Sequence, residues 1–414
     1  MPETNWAGNL TYRAATIHRP TSLDELRERV ANTPRLRVLG SRHSFNAIAD
    51  GDELVSLEAL PAAIEIDRDA ATVSLNPAVR YGVLAEHLQQ HGLALHNLAS
   101  LPHISVGGAV ATATHGSGDA QGNLATAVAA LELVTSDGEL LRVRRGDPDF
   151  DGIVVALGAL GAVTRITLDA EPTYDVRQDV FEGMAWDALL DELGVVMAAG
   201  DSVSVFTRWG EDVDQVWVKT RVGAGPQEIR DDLVGARPAT VDRHPILGID
   251  PVNCTPQLGR PGPWFERLPH FRMGFTPSNG DELQSEFHVA RVDGPEAIAA
   301  LRAIAPSFAA LVQVTELRTI AADALWLSTQ HGRDTLAIHF TWVSDAAGVE
   351  RALAAIEPAL APFAARPHWG KVFRATAEEL APRYPRHAEF LALMERLDPR
   401  GAFVDDWLRD RLGC

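Results

Sequence analysis

Two hydrophobic periodicities divide the chain. Up to residue 171, short β-like runs alternate with helical ones. Ser22-Leu23-Asp24-Glu25 is a capping-box pattern that Leu26 and Val30 continue at helical spacing, which predicts a helix over 22–32. Leu36 to Leu39 predicts a short strand ending at Gly40, and Thr72 to Leu75 predicts another. Gly82 to Gln90 reads as an amphipathic helix. Val128 to Val134 is apolar except for Glu132, and Ile153 to Leu157 is apolar throughout. Gly158-Ala159-Leu160-Gly161 then lets backbones approach closely. This part has mixed α/β character.

From residue 172 the pattern becomes strands separated by loops. Val203 to Thr207 and Val216 to Lys219 alternate with period two. The stretch from Pro226 to Pro277 is rich in Pro and Gly, with Arg260-Pro261-Gly262-Pro263 at its centre. A loop that long in a compact protein usually serves function, as a lid or a substrate-facing wall. Val314 to Ile320 and Thr335 to Val343 predict two more strands, followed by a helix over Ala346 to Glu357 that Pro358 should end. The expected fold class is α/β (α+β), in two domains. Residues 1–171, rejoined by 372–414, form the first, and 172–371 form an antiparallel-sheet domain.

With 414 residues, 46% hydrophobic and 22% charged, the chain has room for two cores. Its net charge of −19 repels phosphate backbones, so nucleic acid is not expected as a partner, and a neutral substrate is favoured. Only Cys254 and Cys414 are present, which argues against a disulfide scaffold or a thiolate zinc site. The 14 histidines show no metal-ligand spacing, and no metal is expected. The N-terminus lacks a signal-peptide pattern and no apolar run reaches membrane-spanning length, so a cytoplasmic protein without membrane contact is expected. Nothing demands more than a monomer. Rossmann, Walker, His-Glu-x-x-His and Gly-x-Ser-x-Gly signatures are all missing.

Two glycine-rich segments carry the candidate chemistry. One is Val38-Leu39-Gly40-Ser41-Arg42-His43-Ser44-Phe45-Asn46, and the other runs from Ile104 to Gly118. In both, small and hydroxyl residues could let successive backbone N–H groups converge on an anion. Each segment taken alone reads first as a tight turn with a satisfied histidine. Further on, Glu316 and Arg318 fall on one face of their strand, and His339 and Thr341 on one face of theirs. Leu336, Ile338, Phe340 and Trp342 make the opposite face apolar, and Lys371 follows Pro367-His368-Trp369-Gly370. A solvated sheet surface with a Glu–Arg pair is the plain alternative.

Taken together these segments resemble the vanillyl-alcohol oxidase superfamily of flavoproteins, and within it the bacterial alditol (xylitol, sorbitol) oxidases. Arg42-His43-Ser44-Phe45 carries the likeness, with Asn5-Trp6-Ala7-Gly8-Asn9, Asn97 to Val106 and Thr114-His115-Gly116-Ser117-Gly118. The resemblance implies FAD bound covalently through His43 as an 8α-histidyl link. It implies a cofactor cradle of Gly40, Ser41, Arg42, His43, Ser44, Phe45, Ser100, Ser105, Gly107, Gly108, Thr112, His115, Gly116, Gly118, Gly161 and Val163. It also implies a polyol site of Ser100, Glu316, Arg318, Thr341 and Lys371. The reaction implied is oxidation of an alditol's terminal hydroxyl to the aldose by hydride transfer to flavin N5, with O2 reduced to H2O2. Arg318 and Lys371 would hold the reacting hydroxyl, and Lys371 or His339 would accept its proton. Arg318 beside Lys371 should lower the lysine's pKa. Ala99 matches an oxygen-gate position and fits oxidase or dehydrogenase behaviour. The alternatives are an aldonolactone oxidase or dehydrogenase of the same superfamily, or a non-catalytic polyol-binding flavoprotein. Asn76-Pro77-Ala78, in place of a glycine-rich turn, and Asp405, in place of Asn, depart from the pattern.

Overall fold

The computed structural model describes residues 3–223, 231–275 and 281–414. Pro226 and Pro277, which bound the expected long loop, lie outside the described residues.

The first elements follow the sequence closely. The helix Leu23–Asn32 is capped by the Ser22 side chain, which accepts from the Glu25 amide, and it buries Leu26 and Val30. Only half of the capping box forms, because Glu25 turns its carboxylate to Thr21 instead. Ile17–His18, Leu54–Ser56 and Arg37–Leu39 make a three-stranded parallel sheet, and a five-stranded antiparallel sheet stands beside it. The second sheet includes Val128–Val134 paired with Ala162–Asp169. Gly161 enters that pair with φ +151, where an added Cβ would meet the Val134 carbonyl oxygen at 2.5 Å. Only glycine fits there.

A nine-stranded sheet follows. Its path runs Arg237–Pro238, Asp175–Ala185, Asp212–Arg221, Ser202–Thr207, Val312–Ile320, Thr335–Trp342, Leu283–Ala290, Arg366–Pro367, with Gly262–Pro263 paired to Asp175–Ala185. Every pairing is antiparallel. Val205, Leu317, Ile338 and Phe287 are cross-strand partners on one face, all buried. The helices Gly294–Ile304 and Ala346–Leu360 add buried Ile298, Leu301, Leu353 and Ile356 to the same core. Pro358 does not end the second helix as expected; the helix runs on to Leu360. A proline this near the C-terminus removes one backbone bond, and buried Ile356 and Leu360 keep the last turn docked.

The C-terminal segment packs on the first sheet through Ala402 and Phe403, which share a core with Leu26, Val30, Leu36 and Val55. Arg37, only 4% exposed, ties these parts together. Its guanidinium donates to the carbonyls of Ile48, Leu157, Gly158 and Phe403, and Asp405 lies 3.5 Å from its Nε. Asp405 thus faces a guanidinium whose charge an Asn could not neutralise, while it also caps the helix Asp406–Leu412. Arg37→Met should cost about 3 kcal/mol or more, because it strands Asp405 and several carbonyls. Urea unfolding measures this, and a loss below about 1 kcal/mol would contradict the assignment.

Candidate active site

One cavity joins the two glycine-rich segments to the polar face of the nine-stranded sheet. The first segment follows the strand Arg37–Leu39 and turns at Arg42, whose φ of 65 is rare outside glycine. The N-terminal strand of chain holds that turn. The Trp6 amide donates to the Arg42 carbonyl at 2.8 Å, and Glu3 pairs with the Arg42 guanidinium. The two segments clasp each other. The Ser41 amide donates to Ser105 Oγ at 3.3 Å, and the Ser105 amide to Ser41 Oγ at 2.9 Å. Gly107 sits against Pro77, where a Cβ would approach the proline ring to 2.6 Å. Pro77 thus forms a rigid wall, held by Asn76, whose side chain donates to the Leu57 carbonyl and accepts from the Ala78 amide.

Gly40, Ser41, Arg42, His43, Ser44, Phe45, Ser100, Ser105, Gly107, Gly108, Thr112, His115, Gly161 and Val163 line the cavity, and so does Ala99. Gly116 and Gly118 do not. Gly116 is pressed against the Leu98 carbonyl, which a Cβ would meet at 2.4 Å, and the Gly118 amide donates to the Thr319 carbonyl. Their place is the joint between loop and sheet, set by backbone packing.

His43 is equipped to hold a flavin. Its Nδ1 lies 3.1 Å from the Ser41 carbonyl, a contact that puts the proton there and leaves the lone pair on Nε2. Nε2 is buried with no hydrogen-bond partner. Burial lowers the imidazole pKa to about 4, so the ring is neutral and nucleophilic at ordinary pH. Trp6 stacks on it with centroids 5.4 Å apart. A buried nitrogen lone pair without a partner, on the wall of a cavity, fits a covalent attachment point.

The polar face is built by strand register. Gln215, Phe206, Glu316, His339 and Glu286 are successive cross-strand partners over five strands. Cross-strand partners share a face, and Phe206, Glu316, His339 and Glu286 of this row line the cavity. Glu286 is its centre, 1% exposed. One oxygen accepts from Arg318 at 2.9 Å and lies 2.9 Å from His115 Nε2, and the other accepts from Lys371 Nζ. His115 belongs to the second glycine-rich segment, so Glu286 joins that segment to the polar face of the sheet. Arg318 also donates to Ser100 Oγ at 3.3 Å. Lys371 Nζ lies 2.7 Å from His339 Nδ1, and His339 Nε2 lies 3.1 Å from Thr341 Oγ1. Lys371 is placed by the first segment: the Asn46 side chain donates to the Trp369 and Lys371 carbonyls at 2.8 and 2.7 Å, and the Phe45 amide to the Gly370 carbonyl at 2.8 Å.

The structure thus brings Ser100, Glu316, Arg318, His339, Thr341 and Lys371 to one cavity wall. It replaces the solvated-surface alternative, since each sheet residue of this set is buried. Lys371 has a lowered pKa, as expected, but burial is the first cause and Arg318 the lesser one, with Glu286 opposing both. Glu286 is held well below the usual carboxylate range by Lys371, His115 and Arg318, against the opposing effect of burial. Sequence reasoning missed Glu286 and also His270, whose Nε2 lies 2.7 Å from Glu316 Oε1. Glu286 lies in Gln284-Ser285-Glu286-Phe287-His288, where alternation marks a strand but not what its polar face meets. His115, Glu286 and His288 have ligating atoms within 4.8 Å of one another. Arg318 and Lys371 already neutralise that carboxylate, so this group reads as a hydrogen-bond network.

The segment 231–275 supplies Pro245, Ile246, His270 and Phe271 to the cavity, the wall expected of the Pro- and Gly-rich stretch. Among the described residues, no helix is long and apolar enough to cross a membrane.

His270 and His339 both have pKa values lowered to about 4 from an ordinary 6.5, with burial the first cause. A depressed histidine binds fewer protons folded than unfolded. Its stabilisation is therefore intact above pH 6.5 and lost as pH falls from there through 4. Unfolding followed from pH about 7 down to about 4.5 should show a loss of up to about 1.4 kcal/mol per pH unit for each group. Flat stability across that window would count against neutral, buried rings.

Comparisons with known proteins agree with this geometry. Residues 14–144 match an FAD binding domain model, and residues 280–411 match the D-arabinono-1,4-lactone oxidase model. The chain is 50% identical to an alditol oxidase of Streptomyces sp., over 99% of this chain and 98% of that one. It is 30% identical to L-gulono-1,4-lactone dehydrogenase of Mycobacterium tuberculosis, over 99% of both chains. The crystal structure of cholesterol oxidase from B. sterolicum shares the fold, with a TM-score of 0.78 at 15% identity, covering 99% of this chain and 96% of that one. A cradle matched by an FAD-binding model and half-identity along the whole length lead to one conclusion: the chain belongs to the alditol oxidase family, within the vanillyl-alcohol oxidase superfamily of FAD-dependent flavoproteins.

Proposed function

We propose that this protein oxidises the terminal hydroxyl of open-chain polyols to the aldose, passing the electrons to O2 as H2O2. FAD is bonded to His43 and held by residues 1–171 with 372–414, and the polyol by 172–371 with Ser100. The protein acts in the cytoplasm and as a monomer, and the monomer reading is supported by one chain lining the whole cavity. The observation that carries this reading is the single cavity that has the His43 loop at one end and Glu316, Arg318, Thr341 and Lys371 at the other.

A linear polyol offers a row of hydroxyls, each a donor and an acceptor. Arg318 and Lys371 donate to the reacting oxygen. Ser100, whose Oγ already accepts from Arg318, has its own proton free for the next hydroxyl, and Glu316 accepts from it. Thr341 meets the chain further along. Bound FAD supplies the two-electron acceptor and the route of those electrons to O2. Lys371 Nζ first passes a proton to His339 Nδ1, 2.7 Å away, and the lone pair this frees takes the hydroxyl proton. Glu286 Oε2, 3.5 Å from that nitrogen, stabilises the imidazolium formed. His339 is thus the net acceptor and Lys371 the relay. Lactone oxidation is the second reading, favoured by the match of residues 280–411 to a lactone oxidase model.

Peroxide release across alditols and aldonolactones tests the substrate, and xylitol or sorbitol should be turned over faster than any lactone. Turnover of lactones alone would select the second reading. Lys371→Met should lower turnover by about 100-fold or more, and near-native turnover would remove it from the chemistry. Acid-precipitated protein should stay yellow and fluorescent, whereas His43→Ala should release its flavin. A colourless pellet from the unaltered protein would rule out the tether.

A further inference from the structure

Behind Glu316, away from the cavity, stands a buried lysine that the proposed chemistry does not use. Lys219 is 1% exposed, on the strand Asp212–Arg221. Its Nζ donates to the Leu268 carbonyl at 2.5 Å and to the Pro269 carbonyl at 3.3 Å, and lies 2.9 Å from His270 Nδ1. No carboxylate contacts it among the described hydrogen bonds and ion pairs. His270 is itself 4% exposed and spans the gap to Glu316 Oε1 with its other nitrogen, at 2.7 Å. Phe206 and Trp217 pack edge-on against the ring, with centroids 5.5 and 5.3 Å away, and prevent it from turning.

We infer that Lys219 and His270 are positioning residues that fix Glu316 as an obligate hydrogen-bond acceptor for a substrate hydroxyl. A lysine has no lone pair to offer while protonated, so His270 Nδ1 must accept from it. That sets the tautomer, and Nε2 then carries the proton and donates it to Glu316. Oε1 is thereby occupied, and Arg318 Nε, 3.6 Å away, reinforces its charge. Oε2 makes no hydrogen bond among the described residues and remains for the ligand. A carboxylate held in this way rejects an analogue whose hydroxyl is missing, because its buried oxygen would go unpaired. The charged groups facing His270 are Lys219, Glu316 and Arg318, and Lys219 is faced by Glu316, Arg318 and the neutral Cys254 thiol. Burial lowers the Lys219 pKa to about 7, so this device weakens in alkali as the lysine loses the proton it donates.

The inference rests on the polyol reading for the role of Glu316, but the tautomer can be read without substrate. Nitrogen-15 NMR of the His270 imidazole should show a protonated Nε2 and a bare Nδ1 from pH about 5.5 to 6.5. In Lys219→Met the Nδ1 resonance should shift as it loses its donor, and the ring's pKa should rise as the neighbouring cation is removed. The KM for xylitol should then climb at least about tenfold while kcat changes less than about threefold. An Nδ1-protonated His270 in the unaltered protein, or the same spectrum in Lys219→Met, would overturn the inference. His270→Gln and His270→Phe keep the test open if Lys219→Met does not fold. Gln retains a donor to Glu316 and should hold KM within about threefold, whereas Phe should raise it at least about tenfold; equal KM values would also overturn it. A correct tautomer in a protein that turns over no polyol would leave this arrangement standing and refute the polyol reading instead.

Discussion

Two cations cannot share a dry wall without an anion between them, and Glu286 is that anion. Arg318 and Lys371 both reach it, and neither has another carboxylate as near. An unpaired charge at such depth would cost several kcal/mol, so removing the carboxylate penalises both partners at once. The same group lies against His115, which comes from the cofactor segment. One buried side chain therefore sets the distance between the second glycine-rich segment and the two cations of the cavity wall. Its protonation would release them, and the environment works against that by holding the carboxyl well below its usual range.

The fold serves this arrangement by register. Antiparallel pairing places Glu286, His339 and Glu316 side by side, and the helix-covered opposite face keeps the sheet stiff behind them. The N-terminal strap and the Ser41–Ser105 clasp hold the His43 loop. Asn46 carries that loop's position directly to Lys371. Cofactor side and substrate side are thus braced against each other through few, short connections.

Much of this was legible in the sequence. The strands carrying Glu316 and His339 announced themselves by alternation, since Leu336, Ile338, Phe340 and Trp342 mark a buried face and leave the polar face to be explained. The His43 and His115 segments were visible as glycine-rich turns, and the family likeness gave them meaning. What stayed hidden depends on side chains converging from distant strands. Nothing in Gln284 to His288 says that Glu286 will meet Arg318, 32 positions on, and Lys371, 85 positions on. Lys219 ends a run whose alternation marks a strand but not what its polar positions meet, and it shares a face with buried Gln215 and Trp217. Pro358 misled for a local reason: propensity treats it as a stop, while packing of Ile356 and Leu360 on the sheet outweighs one lost bond.

Whether Glu286 holds a polyol-oxidising site together is tested most directly by anaerobic mixing with xylitol. Flavin absorbance should bleach within seconds in the unaltered protein. In Glu286→Gln, with flavin still bound, bleaching should slow by about 100-fold or more, as expected when buried cations lose their shared carboxylate. No bleaching of the unaltered protein by any alditol, or equal rates in the two proteins, would contradict the account.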